Sequence, residues 1–220
     1  MSLTIADRTI NRVLIVDDDK NLRENYGYQI EELGLEPIYE SGPLGTLDDA
    51  LGLLRAKADA LVCDLHLRIR NFSQINGDLF VASSNRQNLP AVLCTNYTDS
   101  DITVMRSKRR YIPALLKTET YHPENIKRGF ERCIREGQGI FDASRRPWRT
   151  LVRIADIEEQ RKYFYAVVPG WNTQQKIRVY FEDLPSPLRD QVQLNVRFHA
   201  QVNLGAEGAE ELYFSDWEGK

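Results

Sequence analysis

Residues 11–140 alternate short apolar runs with amphipathic stretches, and this alternation limits the fold more than any other feature of the chain. Each of five apolar runs of strand length is followed by a stretch in which apolar residues recur every three or four positions. After the β-branched run at 13–16, for example, Leu22, Tyr26 and Ile30 fall on one helical face. Strands that alternate with helices predict a parallel, doubly wound sheet, because right-handed crossovers place helices on both faces.

The pattern places one α/β domain at 1–140. The predicted strands cover 13–16, 36–41, 58–65, 91–95 and 111–117, and the predicted helices cover 21–34, 45–57, 77–88, 99–110 and 123–137. In a sheet of this kind, ligands bind beyond the carboxyl ends of the strands, where the strand order reverses.

Polar side chains follow four of these five predicted strands. Asp17, Asp18 and Asp19 come directly after the first strand, and the third strand ends at Asp64. The fourth strand ends at Thr95 and the fifth at Lys117. A parallel sheet brings these ends to one edge, so we expect the carboxylates, the hydroxyl and the ammonium group to share a pocket. Taken alone, three aspartates after a strand could equally be a solvated helix start.

Clustered carboxylates repel one another and need a compensating cation. Oxygen ligands at a solvent-open edge suit Mg²⁺, which takes one or two carboxylates and keeps several waters. Because an aspartate carboxylate can accept a phosphoryl group covalently, Asp64 is the expected acceptor. Thr95 and Lys117 would then hold the remaining phosphoryl oxygens.

The segments VLIVDDD, ALVCDL, AVLCT and ALLK, in this order, resemble the receiver domain of two-component response regulators over residues 11–140. The resemblance implies a flavodoxin-like sheet with strand order 2-1-3-4-5 and a phosphoryl donor that is a sensor histidine kinase or a phosphotransfer protein. It makes Asp64 the phosphoacceptor, Thr95 the switch hydroxyl and Lys117 the phosphate-binding lysine. The implied Mg²⁺ ligands are Asp17, Asp18, Asp64 and the backbone carbonyl of His66. Gly77 matches the glycine that usually follows the phosphoacceptor loop.

Several positions depart from that family's pattern. Asn96 stands where a small residue is common, Thr118 where a cis proline is common, and Ala114 where an aromatic usually moves with the switch hydroxyl. His66 and Tyr97 occupy the places that tune the lifetime of the aspartyl phosphate, and we expect slow loss of phosphate. These departures leave open a pseudo-receiver that is never phosphorylated and acts as a scaffold.

The last third of the chain has a different character. A linker is predicted at 141–150, followed at 151–220 by about five strands with no long helix between them, which favours a small antiparallel, OB-like β-barrel. No helix-turn-helix pattern is present, so we expect no duplex DNA binding. Nine Lys and Arg against eleven Asp and Glu over 148–220 favour a protein partner. Single-stranded nucleic acid is the alternative, because exposed aromatics could stack on bases.

Composition sets the remaining expectations. The net charge of −3, the lack of a long apolar run and the lack of a signal-peptide core predict a cytoplasmic chain without membrane spans. The three widely spaced cysteines, Cys63, Cys94 and Cys133, predict buried thiols rather than a disulfide or a zinc site. We predict no enzymatic output beyond self-catalysed phosphoryl transfer and hydrolysis at Asp64. A homodimer through the 98–117 face is a further option, although the basic run at 106–110 is more simply a solvated helix face.

Overall fold

The computed structural model describes residues 3–5, 7–68, 72–95, 105–117 and 120–219. Its first element is an antiparallel hairpin, which the sequence patterns did not predict. Its strands are β1 (Leu3–Ile5) and β2 (Arg8–Ile10). Three-residue strands are too short to show a period. The hairpin is held by burial, since Ile5 and Ile10 join the main apolar core of the first unit.

Five parallel strands form the sheet of that unit. They are β3 (Arg12–Val16), β4 (Glu36–Glu40), β5 (Ala60–Asp64), β6 (Ala91–Thr95) and β7 (Leu115–Lys117). Their order is β4-β3-β5-β6-β7, which is the predicted flavodoxin-like order 2-1-3-4-5. The order reverses between β3 and β5, so the crevice for a ligand lies beyond the ends of these two strands.

Four helices alternate with the strands: α1 (Lys20–Glu32), α2 (Leu47–Lys57), α3 (Gly77–Arg86) and α4 (Pro123–Gly137). Local sequence sets several of their ends. Asp19 caps the first turn of α1, and Thr46 and Asp49 form a reciprocal capping box on α2. A helix was also predicted at 99–110, but only its last part is described. There the chain makes turns and then a single 3-10 turn at Arg109–Tyr111.

Apolar side chains fill both faces of the parallel sheet. One cluster joins alternate residues of the strands to Tyr26 and Ile30 of α1 and to Ile126 and Phe130 of α4. Apolar residues of α2 and α3 are buried as well. Cys63, Cys94 and Cys133 are buried free thiols, as predicted. No helix in the described part of the chain is long and apolar enough to cross a membrane.

The second unit is an antiparallel sheet of five strands: β8 (Trp148–Glu158), β9 (Tyr163–Val168), β10 (Asn172–Tyr180), β11 (Arg197–Val202) and β12 (Phe214–Glu218). A short helix, α5 (Ser186–Arg189), lies between β10 and β11. The order is β10-β9-β8-β11-β12, with an apolar cluster on one face of the sheet. Strand number and direction agree with the prediction. Closure into an OB-like barrel stays a prediction, because the hydrogen-bonded order runs from one open edge, β10, to the other, β12.

The boundary between the units differs from the simple division at 140. Described residues 105–110 group with 141–219, although they come between β6 and β7 in the chain. Arg106 is only 6% exposed, and its guanidinium donates to the carbonyls of Ala209 and Leu212 at 2.7 and 2.9 Å. The expectation of a solvated helix face therefore does not hold for Arg106.

The predicted linker at 141–150 also has more structure than expected. Strand β8 begins inside it, at Trp148. Arg145 is buried, donates to the carbonyls of Arg109 and Arg110, and accepts on its own carbonyl from the hydroxyl of Tyr213. Arg145 of the predicted linker thus takes part in contacts within the second unit.

Candidate functional site

The register of the parallel strands brings the predicted site residues to one edge. Val16 pairs with Cys63, and Asp64 pairs with Cys94. Thr95 and Lys117 pair directly with each other, one residue beyond that level. Because β5 lies between β3 and β6, Asp64 has the acidic segment after β3 on one side and Thr95 on the other. The register therefore brings these strand ends to one edge of the sheet, as predicted, while their action as a common binding pocket stays a prediction.

Asp17 is the most deeply buried carboxylate of the pocket, with 1% of its surface exposed. Its Oδ1 accepts from the backbone N–H of Asp19 at 2.7 Å, while its Oδ2 is buried without a hydrogen-bond partner among the described residues. Burial, joined by the negative charges of Asp64 and Asp18, raises the pKa of Asp17 to about 7 against the lowering effect of the Asp19 N–H. An anion at Asp17 is thus compensated only in part by the described residues.

The consecutive residues Asp17, Asp18 and Asp19 differ in their contacts. Asp19 accepts from the backbone N–H groups of Asn21 and Leu22 at 2.8 and 3.3 Å, so it is the N-cap of α1. The helix-start interpretation is therefore correct for Asp19. Asp18 is half-buried and close enough to Asp64 to raise the pKa of that carboxyl. Asp17 and Asp18 remain as the acidic pair.

Asp64 ends β5 half-buried, with its Oδ2 accepting from the backbone N–H of His66 at 2.7 Å. Burial raises the pKa of Asp64, while hydrogen bonds from the N–H groups of His66 and Leu65 lower it in part. These bonds fix the direction of the carboxylate, and they place the His66 main chain beside it. Gly77, at the start of α3, approaches so closely that a Cβ there would lie 1.8 Å from the Asp64 carbonyl oxygen.

Thr95 and Lys117 complete the pocket from the other side. Thr95 is 1% exposed, and its Oγ1 is buried without a hydrogen-bond partner in the described part of the chain. The end of β6 thus offers a hydroxyl that can both donate and accept. Lys117 is exposed at the end of β7, where its flexible ammonium group can reach an anion.

The donor set fits a divalent cation that keeps most of its waters. No group of three or more His, Cys, Asp or Glu side chains in the described residues forms a metal cage. Mg²⁺ does not require one, because it usually takes one or two carboxylates and fills its other positions with water and substrate oxygens. The unpartnered Oδ2 of Asp17, beside Asp18 and Asp64, is an oxygen of the kind that such an ion satisfies.

Two contacts near the pocket were not evident from the sequence. The guanidinium of Arg23 donates to the carbonyl of Asp17 at 2.5 Å and so ties α1 to the end of β3. The rings of Tyr26 and Tyr121 pack with their centroids 4.2 Å apart, and Tyr26 is fully buried close to Asp17 and Asp64. The helical spacing of Tyr26 predicted its burial, but nothing local indicated its partner 95 positions later in the chain.

Only some of the positions that depart from the receiver-domain pattern lie among the described residues. Tyr97, Asn96 and Thr118 lie outside the described residues, as does the whole 98–104 part of the predicted dimer face. Ala114 is buried, and a Cβ on Gly129 of α4 would come within 3.1 Å of the Ala114 Cβ. The small residue at 114 therefore belongs to a close contact between a strand end and a helix.

Comparisons with known proteins give partial matches only. A scan against protein-family models and a search of curated proteins found no match. A response regulator receiver domain protein from Clostridium thermocellum is 13% identical, with a TM-score of 0.44 over 58% of this chain and 97% of that one. The receiver domain of the Francisella response regulator 1452 is 18% identical, with a TM-score of 0.42 over 57% and 98%. The chemotaxis response regulator CheY4 of Vibrio cholerae is 18% identical, with a TM-score of 0.41 over 56% and 98%.

Proposed function

We propose that this chain is a response regulator in which Asp64 accepts a phosphoryl group from a sensor histidine kinase or a phosphotransfer protein. One observation carries the proposal. Two buried oxygens without hydrogen-bond partners among the described residues, Asp17 Oδ2 and Thr95 Oγ1, flank Asp64 at the carboxyl edge of the sheet. Buried polar atoms are rarely left unsatisfied, so both oxygens favour a ligand that brings a cation to one side and phosphoryl oxygens to the other.

The chemistry is an in-line displacement at phosphorus. A carboxylate oxygen of Asp64 forms the new P–O bond as the P–N bond to the donor imidazole breaks, and the imidazole nitrogen keeps the electron pair. Lys117 and Thr95 bind the phosphoryl oxygens by charge and by hydrogen bonding. Hydrolysis later breaks the P–O bond and returns the Asp64 carboxylate and inorganic phosphate. His66, whose N–H already binds Asp64, is placed to influence that rate.

Mg²⁺ would be held by the carboxylates of Asp17, Asp18 and Asp64 and by the backbone carbonyl of His66. Bound there, it supplies positive charge that screens the carboxylates from the incoming phosphoryl oxygens. The raised pKa values of Asp17 and Asp64 also favour a bound cation, because burial disfavours the charged form of both carboxyls.

The second unit is the proposed output module, and its partner is proposed to be a protein. Residues 105–110, which follow the switch hydroxyl of Thr95 in the chain, belong to that unit rather than to the parallel sheet. A rearrangement at the end of β6 is proposed to act on this segment of the output module. Beyond transfer and hydrolysis at Asp64, no enzymatic activity is proposed. The homodimer through 98–117 stays a prediction.

The test is labelling of the full chain with radioactive acetyl phosphate. We expect label that depends on Mg²⁺, that is lost in Asp64→Asn, and that is retained in Asp48→Asn, a control that removes an exposed carboxylate from the first turn of α2. The label should also be labile to hydroxylamine, as an acyl phosphate is.

Two results would count against the proposal. Label that persists in Asp64→Asn would move the acceptor elsewhere. A folded wild-type chain that takes no label from acetyl phosphate, and none from a panel of sensor kinases, would support the pseudo-receiver that acts as a scaffold.

A further inference from the structure

One face of the second unit's sheet carries an organised set of cations and tyrosines that the phosphorylation site does not use. The opposite face is the apolar one, with Val152, Phe164, Val179 and Phe198 in its core. Because successive residues of a strand point to opposite faces, the other face is defined by alternate positions of β8 to β11. We call the part of it around Tyr163 and Arg153 the tyrosine–arginine face; this part comprises Arg153, Tyr163, Tyr165, Lys176, Arg178, Tyr180 and Arg197.

Two arginines stand directly opposite each other on this face. Arg153 of β8 pairs with Arg197 of β11 in the antiparallel register, and neither forms a salt bridge within the described residues. Like charges at opposed positions destabilise a sheet. The fold thus tolerates a repulsive pair here, and such a pair is relieved when an anion binds between its members.

Tyrosines hold the other two cations in place. The guanidinium of Arg178 lies 4.8 Å from the ring centroid of Tyr163, and the neighbouring hydroxyls of Tyr165 and Tyr180 raise the pKa of Arg178. Lys176 lies 5.8 Å from the ring centroid of Tyr165 and 3.1 Å from the carboxylate of Asp156. A cation fixed in this way loses less side-chain entropy when it binds an anion.

Charge on the unit is segregated in consequence. Over 148–220 acidic residues outnumber basic ones, eleven to nine, yet five of the nine basic residues lie on this side of the sheet: Arg149, Arg153, Lys176, Arg178 and Arg197. The carboxylates on the same side are those of Asp156 and Glu158 of β8 and Glu218 of β12. Asp156 pairs with Lys176 and Glu218 with Arg149, so Arg153, Arg178 and Arg197 are the cations of this side that form no salt bridge among the described residues. Cations therefore outnumber carboxylates by five to three on this side of the sheet, although the unit as a whole is net acidic.

We propose that the tyrosine–arginine face binds an extended acidic segment of a partner protein. A nucleic-acid strand fits this face less well, because base stacking needs free aromatic faces and the rings of Tyr163 and Tyr165 are already occupied by Arg178 and Lys176. A long polyanion would also meet the excess acidic charge of the rest of the unit. A short run of carboxylates needs only the few cations present, and it gains in electrostatic complementarity.

This inference deepens the proposed output role by naming the class of partner, but it does not depend on phosphorylation. Binding is measured by fluorescence anisotropy on the full chain, in the wild type and in Asp64→Asn. The probe is a labelled peptide of about 12 residues in which glutamate alternates with threonine, so that its carboxylates project from one side of an extended chain. The matched probe has glutamine in place of glutamate, and a third probe is an oligo-dT strand.

The decisive variant is the double change Arg153→Gln and Arg197→Gln. It should weaken binding of the glutamate peptide by about 5- to 30-fold, the effect of losing two partly exposed ion pairs. Because it removes a like-charge pair, it should unfold at no lower urea concentration than the wild type. The control with the same change of charge is Arg55→Gln and Arg128→Gln, at exposed positions on α2 and α4, and it should bind as the wild type does.

The outcomes separate cleanly. Equal affinity in the decisive and control variants, or no preference for glutamate over glutamine at about 50 mM salt, overturns the proposal. Tighter binding of oligo-dT than of the peptide overturns it in favour of nucleic acid. Glutamate-specific binding that is retained in Asp64→Asn supports it, whatever the result of the labelling experiment.

Discussion

A Cβ placed on Gly77 would lie 1.8 Å from the carbonyl oxygen of Asp64 and 2.9 Å from the Sγ of Cys63. The obstacle is backbone, so it cannot move aside as the tip of a flexible side chain could. Gly77→Ala must therefore displace either the start of α3 or the phosphoacceptor. We expect a loss of about 1–3 kcal/mol in the free energy of unfolding, the usual cost of overpacking. Labelling at Asp64 should fall as well.

Gly52 provides the matched control for Gly77→Ala. It lies inside α2, and a Cβ there would meet nothing within 4 Å. Gly52→Ala should therefore stabilise the chain by about 0.5–1 kcal/mol, because alanine is the better helix former. Urea unfolding followed by circular dichroism measures both variants. A Gly77→Ala chain as stable and as readily labelled as the wild type would show that α3 can retreat from Asp64 without cost.

We expect the hydroxyl of Thr95 to lower the stability of the free chain while it serves the binding of a phosphoryl group. Its Oγ1 is buried without a hydrogen-bond partner among the described residues, a state that costs free energy until a ligand satisfies it. Valine has nearly the same shape and suits a strand. Thr95→Val should therefore raise the free energy of unfolding of the unphosphorylated chain by about 1 kcal/mol.

The same substitution should weaken the response to the phosphoryl group. We expect beryllofluoride with Mg²⁺ to raise the melting temperature of Thr95→Val by less than it raises that of the wild type. Thr173→Val, at an exposed position of β10, controls for the exchange itself and should change stability by no more than about 0.5 kcal/mol. If Thr95→Val is less stable than the wild type without ligand, the hydroxyl already has a partner in the free protein.

Asp17 should make stability depend on pH in metal-free buffer. Its pKa is raised to about 7 from an ordinary value near 3.8, so between these values the folded chain holds a proton that the unfolded chain has released. Since the folded state binds more protons, the free energy of unfolding falls as the pH rises through this window. Allowing for solvent screening at the open edge of the sheet, the fall is about 2 kcal/mol.

The variant Asp17→Asn isolates this contribution of Asp17. The difference in the free energy of unfolding between wild type and variant should change with pH between about 4 and about 7 and stay constant above that range. Mg²⁺ binds the ionised carboxylate, so it should stabilise the wild type increasingly as the pH rises, and Asp17→Asn much less. A wild-type chain that gains stability from Asp17 as the pH rises without metal would reverse the sign and contradict the assigned burial.

The sequence predicted well those parts of the fold in which apolar residues recur at a regular spacing. The strand order, the last helix of the first unit (Pro123–Gly137) and the convergence of Asp64, Thr95 and Lys117 follow from alternating apolar runs and the geometry of parallel sheets. These features depend on many residues that agree with one another, so a local exception does not alter the outcome.

The parts that sequence missed depend on single long-range contacts. Arginines such as Arg106 and Arg145 are usually found at a solvated surface. Both are buried here, because backbone carbonyls distant in sequence accept their hydrogen bonds. The β1–β2 hairpin is likewise held by Ile5 and Ile10 entering a core formed elsewhere in the chain. The local spacing of apolar residues in the sequence does not indicate such contacts. The tyrosine–arginine face was hidden for the same reason, since its members come from four strands.

Arg106 should be the most sensitive position of the basic run at 106–110. Burial lowers the pKa of Arg106 to about 10, so it is charged at neutral pH, with Asp183 and Glu210 as the nearest compensating carboxylates. Arg106→Met keeps the length of the side chain, but leaves the carbonyls of Ala209 and Leu212 without this donor. We expect a loss of about 3 kcal/mol in the free energy of unfolding of the second unit.

Tryptophan fluorescence can follow the unfolding of that unit selectively, because the three tryptophans of the chain, Trp148, Trp171 and Trp217, all belong to it. Arg161→Met, at an exposed position of the same unit, is the matched control and should stay within about 0.5 kcal/mol of the wild type. Equal midpoints for the two variants would mean that the segment around Arg106 is not needed for the stability of the second unit. A selective loss in Arg106→Met would make this segment, which follows the switch hydroxyl in the chain, an integral part of the proposed output module.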